Sequence, residues 1–459
     1  MQSPDKTYGL ISSQKMVQYM WKYSLHKQST QIPCAVLFDE PLDFKTLAQA
    51  VNIEIERNDC LRLRIIKADG DLRQYFLPEY KLDRIPLRKY GTEEEMRRNL
   101  DADAEKKLNV FGGETFRLIF FTAPDGRTGI YLIVSHMVMD AMATFTFFKD
   151  LLAVYDAMKA GEAMPKPLSR YEAVIQKELS DPGWEEYVKK ETAILADYIK
   201  MDKPPKYCSL KGTTLQREQR RTGSDPGPIE PKDFFPLLDK THFSRFTLSE
   251  EDSRAITDFV TERQISAEWV IQMGMRMYLS KLNVRVDDTV FWVLCPRRRT
   301  VKEKRAGGTL ASPMPWREIL PGDLTFREGL LQLASSQNFL FRHADVPFTA
   351  LRDNERTLFG YTVLQTCTSM MFSYLPLAND TFGGHGYEYM GFSMGHYVMP
   401  LYTVTLYDAK SGCYKFNYIH RIYTYSDEDI RRFHEGAVRT ILAGIRDPHK
   451  TIDEILEEI

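Results

Sequence analysis

The chain has 459 residues, enough for two or three domains or for two lobes of one larger unit. Apolar residues make up 43% and charged residues 27%, the proportions of an ordinary globular protein. Lys plus Arg number 61 against 63 Asp plus Glu, so a net charge of −2 excludes a dedicated nucleic-acid binder and an acidic disordered tail.

The first predicted element is a helix. Phe44, Leu47, Ala48, Val51 and Ile55 share one face, and Asp43 precedes them as N-cap. Leu61–Lys67 and Leu72–Phe76 then read as a hairpin around Asp69 and Gly70. A polar helix follows over about 93–107. A second hairpin pairs Phe116–Phe121 with Gly129–Val134, and an apolar helix runs from Ala141 to Met158, ending before Gly161. From Lys203 to Thr241 the chain is rich in Pro and Gly, which predicts a connection with little regular structure. Beyond it the periodicity predicts helices at about 250–263, 267–281, 325–342 and 427–445. Strands are predicted at about 243–247, 288–295, 361–375, 397–408 and 413–420. The resulting division is an N-terminal lobe at 1–180, a connection at 181–245 and a C-terminal lobe at 246–459. The fold class is mixed α/β.

The opening of the chain has no basic stretch leading into an apolar run, and no window reaches the roughly 18 apolar residues of a membrane span. A cytoplasmic location and no transmembrane segment are expected. Six cysteines stand at 34, 60, 208, 295, 367 and 413, the closest pair 26 residues apart. That spacing predicts buried free thiols, with neither a disulfide framework nor a metal site.

The segment with the most chemical content is Tyr131 to Met142. A buried-looking strand ends at Ser135, His136 follows, and Asp140 stands where the next helix begins. A strand end holds a histidine backbone firmly, and imidazole accepts a proton near neutral pH. Asp140 reads as an N-cap holding the loop. The spacing alone is weak, since His449 and Asp453 repeat it on a polar tail. No dinucleotide, P-loop, zinc-protease or nucleophile-elbow motif competes. Arg297, Arg298, Arg299, Lys302, Lys304 and Arg305 form a basic run, a solvated loop or a docking site for phosphate groups. Gln216–Arg221 is a weaker instance. Tyr414, Phe416, Tyr418, Tyr423 and Tyr425 alternate as one face of a sheet.

Seven segments in order resemble the condensation-domain family of the chloramphenicol-acetyltransferase-like superfamily. Ser12, Ser13, Gln14 and Trp21 resemble its opening motif, and Arg57 to Arg64 its R-H-E-x-L-R-T stretch. Ser135, His136, Asp140 and Ala141 fall at H-H-x-x-x-D-G. Tyr171 matches the tyrosine-centred segment after it. Gly308 to Pro315 is similar to G-x-F-V-N-T-x-P, His343 to Phe348 to Q-D-Y-P-F, and Phe372 to Pro376 to F-N-Y-x-P.

The resemblance implies two acyltransferase-like lobes in a V, with a central tunnel where substrates meet at His136. It implies that Asp140 is structural and paired with an arginine, the matching position being Arg62. The first His of the doublet is Ser135 and the Gly is Ala141, a departure that points to a free-standing ester- or amide-forming acyltransferase. His136 is then the general base, moving an acyl group from a thioester to a hydroxyl or amine of a small acceptor. Ala141, Thr309, Ser312 and Ser373 are the candidate contacts to the oxyanion or acceptor. The donor is acyl-CoA or a phosphopantetheine-linked acyl group, with no tightly bound cofactor. Two alternatives stand beside this reading. One is a discrete condensation enzyme of nonribosomal-peptide type, served by an acyl or peptidyl carrier protein. The other is a catalytically silent docking protein.

Overall fold

The computed structural model describes residues 6–68, 70–201, 205–212, 239–363, 365–375 and 381–459. Most of the proline-rich connection, Gln216–Arg221, Asp69 and Pro376 lie outside the described residues.

Fourteen described strands form two six-stranded sheets and a hairpin. They are β1 (Gln31–Phe38), β2 (Leu63–Ala68), β3 (Asp71–Phe76), β4 (Leu87–Lys89), β5 (Phe116–Thr122), β6 (Thr128–Ser135) and β7 (Thr241–Thr247). The second half adds β8 (Asp288–Cys295), β9 (Ser312–Ile319), β10 (Met370–Leu375), β11 (Thr381–Phe382), β12 (His385–Gly391), β13 (Leu401–Asp408) and β14 (Cys413–Arg421). The first sheet runs β11-β12-β1-β6-β5-β4 and the second β7-β14-β13-β10-β8-β9. The fold is the mixed α/β class expected.

The crossover in the first sheet carries a consequence for the site. β12 pairs antiparallel with β1, Cys34 opposite Gly391 and Phe38 opposite Tyr387. Chain from the C-terminal half therefore completes the sheet that carries His136, and the two sheets cannot be separated without cutting this ladder. The helix Ala141–Ala160 packs over the added strands through Phe145 on Tyr389 and Phe148 on Phe382.

The periodic helices form where their apolar faces predict. Asp43 caps Phe44–Arg57, its carboxylate accepting from the Thr46 backbone N–H at 2.8 Å. The helix at 141 begins at its Asp140 cap and ends at Gly161, whose φ of 67° closes a left-handed C-terminal turn. The helices Ala267–Leu282 and Asp427–Arg446 pack closely because Gly274 has no side chain: a Cβ there would lie 2.9 Å from the Ala437 carbonyl oxygen.

Three expectations change, the strand expected from about 397 beginning only at Leu401. The strand expected over 361–375 is confined to β10, and the helix Phe348–Phe359 precedes it, ended by Gly360 at φ 69°. The β-branched residues between them look strand-like in sequence, yet they run without strand pairing to Met370. The polar helix at 93 stops at Ala104, three residues early. The aromatic alternation holds for Tyr414, Phe416 and Tyr418, all buried on β14, but Tyr423 and Tyr425 lie beyond the strand, and Tyr423 is exposed. All six cysteines are buried and unpaired.

Candidate active site

β6 is buried along its whole length and sits between β1 and β5, so its end is fixed in space. Gln31 lies opposite Ser135, and the Ser135 backbone N–H donates to the Thr115 carbonyl at 2.9 Å. The chain then turns. Val138 and Met139 donate to the Ser135 carbonyl at 2.8 and 3.2 Å, and the Met137 N–H donates to the Ser135 hydroxyl at 3.3 Å. Ser135 thus braces the turn that presents His136.

His136 is gripped at both ends of its peptide. Its N–H donates to the Thr30 carbonyl at 2.8 Å, and its carbonyl accepts from the Thr309 hydroxyl at 2.6 Å. The imidazole borders a cavity of about 580 Å³, where Met20, Met142, Phe243, Met371 and Tyr397 are among the apolar neighbours. Nδ1 is buried and, among the described residues, has no partner outside its own residue. Burial lowers the imidazole pKa below its ordinary value, opposed by the Asp140 charge and a contact with its own backbone. The ring is therefore neutral at neutral pH.

Asp140 is 1% exposed and yet charged. Its carboxylate accepts from Ala143 N–H at 2.8 Å, capping the helix, and from Leu310 and Ala311 N–H at 2.8 and 3.0 Å. Arg298 donates to it at 2.8 Å. Burial would push this carboxyl up, but the Arg298 guanidinium and the three N–H groups outweigh it and hold the pKa below the usual carboxylate range.

The arginine expected at Asp140 was Arg62, and this is corrected. Arg62 donates to the carbonyls of Ile55, Leu77 and Pro78 at 3.2, 2.7 and 2.8 Å. It satisfies carbonyls at the end of the helix Phe44–Arg57 and after β3, a task that holds it away from Asp140. Arg298 reaches the carboxylate because the chain after β8 reverses at Arg297, whose φ is +50°. That conformation costs about 1–2 kcal/mol for a non-glycine residue. Bonds from Arg297 to Asp345 at 2.9 Å and to the Ser13 hydroxyl at 2.8 Å hold the turn.

The basic run is consequently not an exposed docking strip throughout. Arg297 and Arg298 are buried in these contacts, Arg299 pairs with Asp345, and Arg305 donates to the Lys166 and Pro167 carbonyls. Lys302 and Lys304 are exposed and have no ion pair among the described residues.

The remaining candidates divide. Ala141 and Ser373 border the cavity, and the Ser373 hydroxyl lies 2.9 Å from the Tyr402 hydroxyl. Thr309 is spent on the His136 carbonyl. The Ser312 hydroxyl is buried without a partner among the described residues. Residues outside the basic run complete the clamp. Asp59 accepts from Tyr171 N–H, the Tyr171 hydroxyl donates to the Thr309 carbonyl at 2.8 Å, and Ser13 donates to the Leu310 carbonyl at 2.7 Å. Segments scattered from residue 13 to residue 345 therefore meet at one seam.

A second concavity, of about 720 Å³, has no forerunner among the sequence motifs. It borders Ser135 and shares Thr30 and Gln31 with the first. Lys15, Lys22, Lys27, Lys67 and Lys107 line it with Trp21 and Phe111, and none of the five lysines forms an ion pair among the described residues. Burial lowers the Lys27 pKa, and Lys107 and Lys67 lower it further, the mark of positive charge without a counterion. These lysines are spread over more than 90 residues of sequence, so no run betrays them.

Residues 5–193 match the family model described as the Condensation domain. The N-terminal part of the chain is thus similar to the condensation-domain family. It is 20% identical over 457 residues to one of the plipastatin synthase subunits of Bacillus subtilis (strain 168), covering 98% of this chain and 17% of that protein. With surfactin synthase subunit 1 of the same organism it shares 21% over 458 residues, covering 98% and 12%. The chain thus spans less than a fifth of the length of these curated relatives. The first condensation domain of the calcium-dependent antibiotic synthetase superposes with a TM-score of 0.79 at 19% identity, covering 98% of this chain and 99% of that one. A mutant starter condensation domain of rhizomide synthetase, in complex with C8-CoA, gives 0.79 at 16%, covering 98% and 97%. These likenesses establish the condensation-domain fold. Among the described residues no helix is long and apolar enough to cross a membrane.

Proposed function

We propose that this protein transfers an apolar acyl group from a thioester to a hydroxyl or amine, with His136 as general base. The observation that carries the reading is a neutral, buried imidazole, held at both ends of its peptide, at the wall of an apolar cavity. With Nδ1 turned toward its own backbone, Nε2 is the nitrogen left for the acceptor. It takes the proton as the acceptor's oxygen or nitrogen bonds to the thioester carbonyl carbon. The tetrahedral oxyanion then collapses, the C–S bond breaks, and the proton passes from His136 to the departing thiolate. Holding both substrates in one cavity supplies the proximity term without a covalent enzyme intermediate. Candidate oxyanion donors are the backbone N–H groups of Ala141 and Met142 at the helix start, and the Ser373 hydroxyl.

The lysine-lined cleft supports docking of the phosphate groups that acyl-CoA and a carrier's phosphopantetheine arm have in common. It replaces most of the Arg297–Arg305 run in that role. The likeness to nonribosomal peptide synthetase subunits favours a carrier-bound partner, and the experiment distinguishes the donors. His136→Ala is compared with wild type on matched acyl-CoA and acyl-carrier thioesters, with products read by mass spectrometry. Loss of turnover by about 10²–10⁴-fold is expected on whichever donor the wild type uses. Unchanged turnover removes the base. Absence of turnover on every thioester, with carrier binding intact in both proteins, favours a silent docking protein.

A further inference from the structure

On the far side of the second sheet from the cavity, three side chains converge. Phe243 on β7 and Ile419 on β14 border the cavity, and residues alternate faces along a strand, so His242 and His420 point the other way. The two histidines are directly opposed in the antiparallel ladder. Asp427, first residue of the helix Asp427–Arg446, closes the group: its Oδ1 lies 2.6 Å from His242 Nδ1 and 3.1 Å from His420 Nε2.

The tautomer of His420 gives the group a direction. Its Nδ1 lies 3.2 Å from the Tyr425 carbonyl, which can only accept, so Nδ1 carries the proton. Nε2 then presents a lone pair toward a carboxylate oxygen, with the Ser244 hydroxyl a long 3.4 Å away as a weak donor to it. Two acceptors facing each other call for a proton or a cation between them. A ligating histidine ordinarily has its second nitrogen bonded to a carbonyl in this way. Tyr425 is itself buried, and its N–H donates to the Arg421 carbonyl at 2.9 Å, so this support is rigid.

Another His–Asp–His group among the described residues makes a useful contrast. His26 and His396 both approach Asp239, but their rings are stacked 3.6 Å apart at 16°, so their lone pairs run side by side. The rings of His242 and His420 cross at 83°. The crossed pair brings its two nitrogens to one oxygen from different directions.

We propose that His242, His420 and Asp427 bind a divalent transition-metal ion of the zinc type. Two imidazoles and one carboxylate are three of the four ligands such an ion takes, at about 2.0–2.2 Å. The fourth position is water, since the His242 and Asp427 side chains are 55% and 66% exposed. Closing the ion in requires Asp427 to swing back by a fraction of an ångström, which an exposed side chain does freely. The ion ties the edge strand β7 to β14 and to the start of the helix. Being on the opposite face from His136, it takes no part in acyl transfer, and the inference stands apart from the proposed reaction.

The test uses the full chain without a histidine tag. Zn²⁺ binding is followed by calorimetry, and Co²⁺ binding by its visible absorption. The expected result is one ion per chain, tetrahedral in its cobalt spectrum. His242→Ala and Asp427→Asn should each weaken binding roughly tenfold or more. Both positions are exposed, so the variants are expected to fold, as circular dichroism checks. Zn²⁺ should raise the melting temperature of wild type and of His396→Ala, but not of the two ligand variants. The proposal is overturned if wild type takes up no ion tighter than roughly 10 µM. It is equally overturned if the ligand variants bind like wild type, or if His396→Ala is the change that abolishes binding.

Discussion

Two concavities meet at Thr30 and Gln31, one bordered by His136 and the other by Ser135. Adjacent residues at the end of one strand thus face opposite chemistries. The first is walled by methionine, phenylalanine and tyrosine; the second chiefly by five lysines with no ion pair among the described residues, beside Asp353 and Arg356. An apolar wall gains energy by excluding water from a hydrocarbon chain, whereas a cluster of unpaired cations gains by taking up an anion. A thioester on a phosphopantetheine arm has both parts. In the proposed reaction the two sides take different ends of one donor class, and each side can be strained separately.

The largest effect is expected at the seam that holds the apolar side together. Arg298→Met leaves Asp140 buried with its three N–H partners and no counterion. Breaking a buried pair in this way costs about 3–5 kcal/mol, read as a fall in the denaturant midpoint. Turnover should fall with it, because Leu310 and Ala311 hang from the same carboxylate. Arg62→Ala is the control: it removes bonds to partly exposed carbonyls and should cost less. A larger loss in Arg62→Ala than in Arg298→Met would restore the pairing expected from sequence.

That reversal shows where sequence was legible. A strand ending at His136 and a helix capped by Asp140 are local facts, fixed by hydrophobic pattern and cap chemistry within a dozen residues. The partner of Asp140 is a tertiary fact. Arg298 stands 158 positions away and reaches the carboxylate only through a left-handed turn at Arg297. Nothing in the basic run separates the guanidinium that is buried from the lysines that are exposed. The crossover of β12 is hidden for the same reason: His385–Gly391 has strand character, but no local signal says that it pairs with β1. His242 and His420, 178 positions apart, meet only through strand register.

The intermediate effect belongs to the lysine side. Lys22→Glu with Lys67→Glu should raise KM for a phosphate-bearing donor by roughly tenfold, charge-assisted contacts being worth about 1.5–3 kcal/mol when well formed. A truncated N-acetylcysteamine thioester of the same acyl group has no phosphate, and its KM should stay unchanged. Added salt should erode the difference between wild type and variant. Equal losses on both donors would mean that the substitutions act through the fold, and the division between the two concavities would fail.

The smallest and most specific effect is on the pH profile. In the proposed reaction the base works only as neutral imidazole, and burial lowers the His136 pKa. Activity is therefore kept as pH falls below the ordinary imidazole value of about 6.5, and is lost only at the lower folded value. Acid unfolding competes in the same window. His434 is buried against Phe246 and lowered to about 4 by burial. Between about 6.5 and 4 the unfolded chain binds a proton there that the native state refuses. Stability present above 6.5 thus drains away as pH falls, by about 3 kcal/mol at most. His434→Gln removes that proton uptake and leaves the cavity untouched. In this background kcat/KM should decline with a single protonation whose midpoint lies below 6.5, while the melting temperature varies less with pH than in wild type. A midpoint at or above 6.5 would mean that water or a nearby charge reaches the His136 ring, and the apolar side would lose the property that sets it against its lysine-lined neighbour.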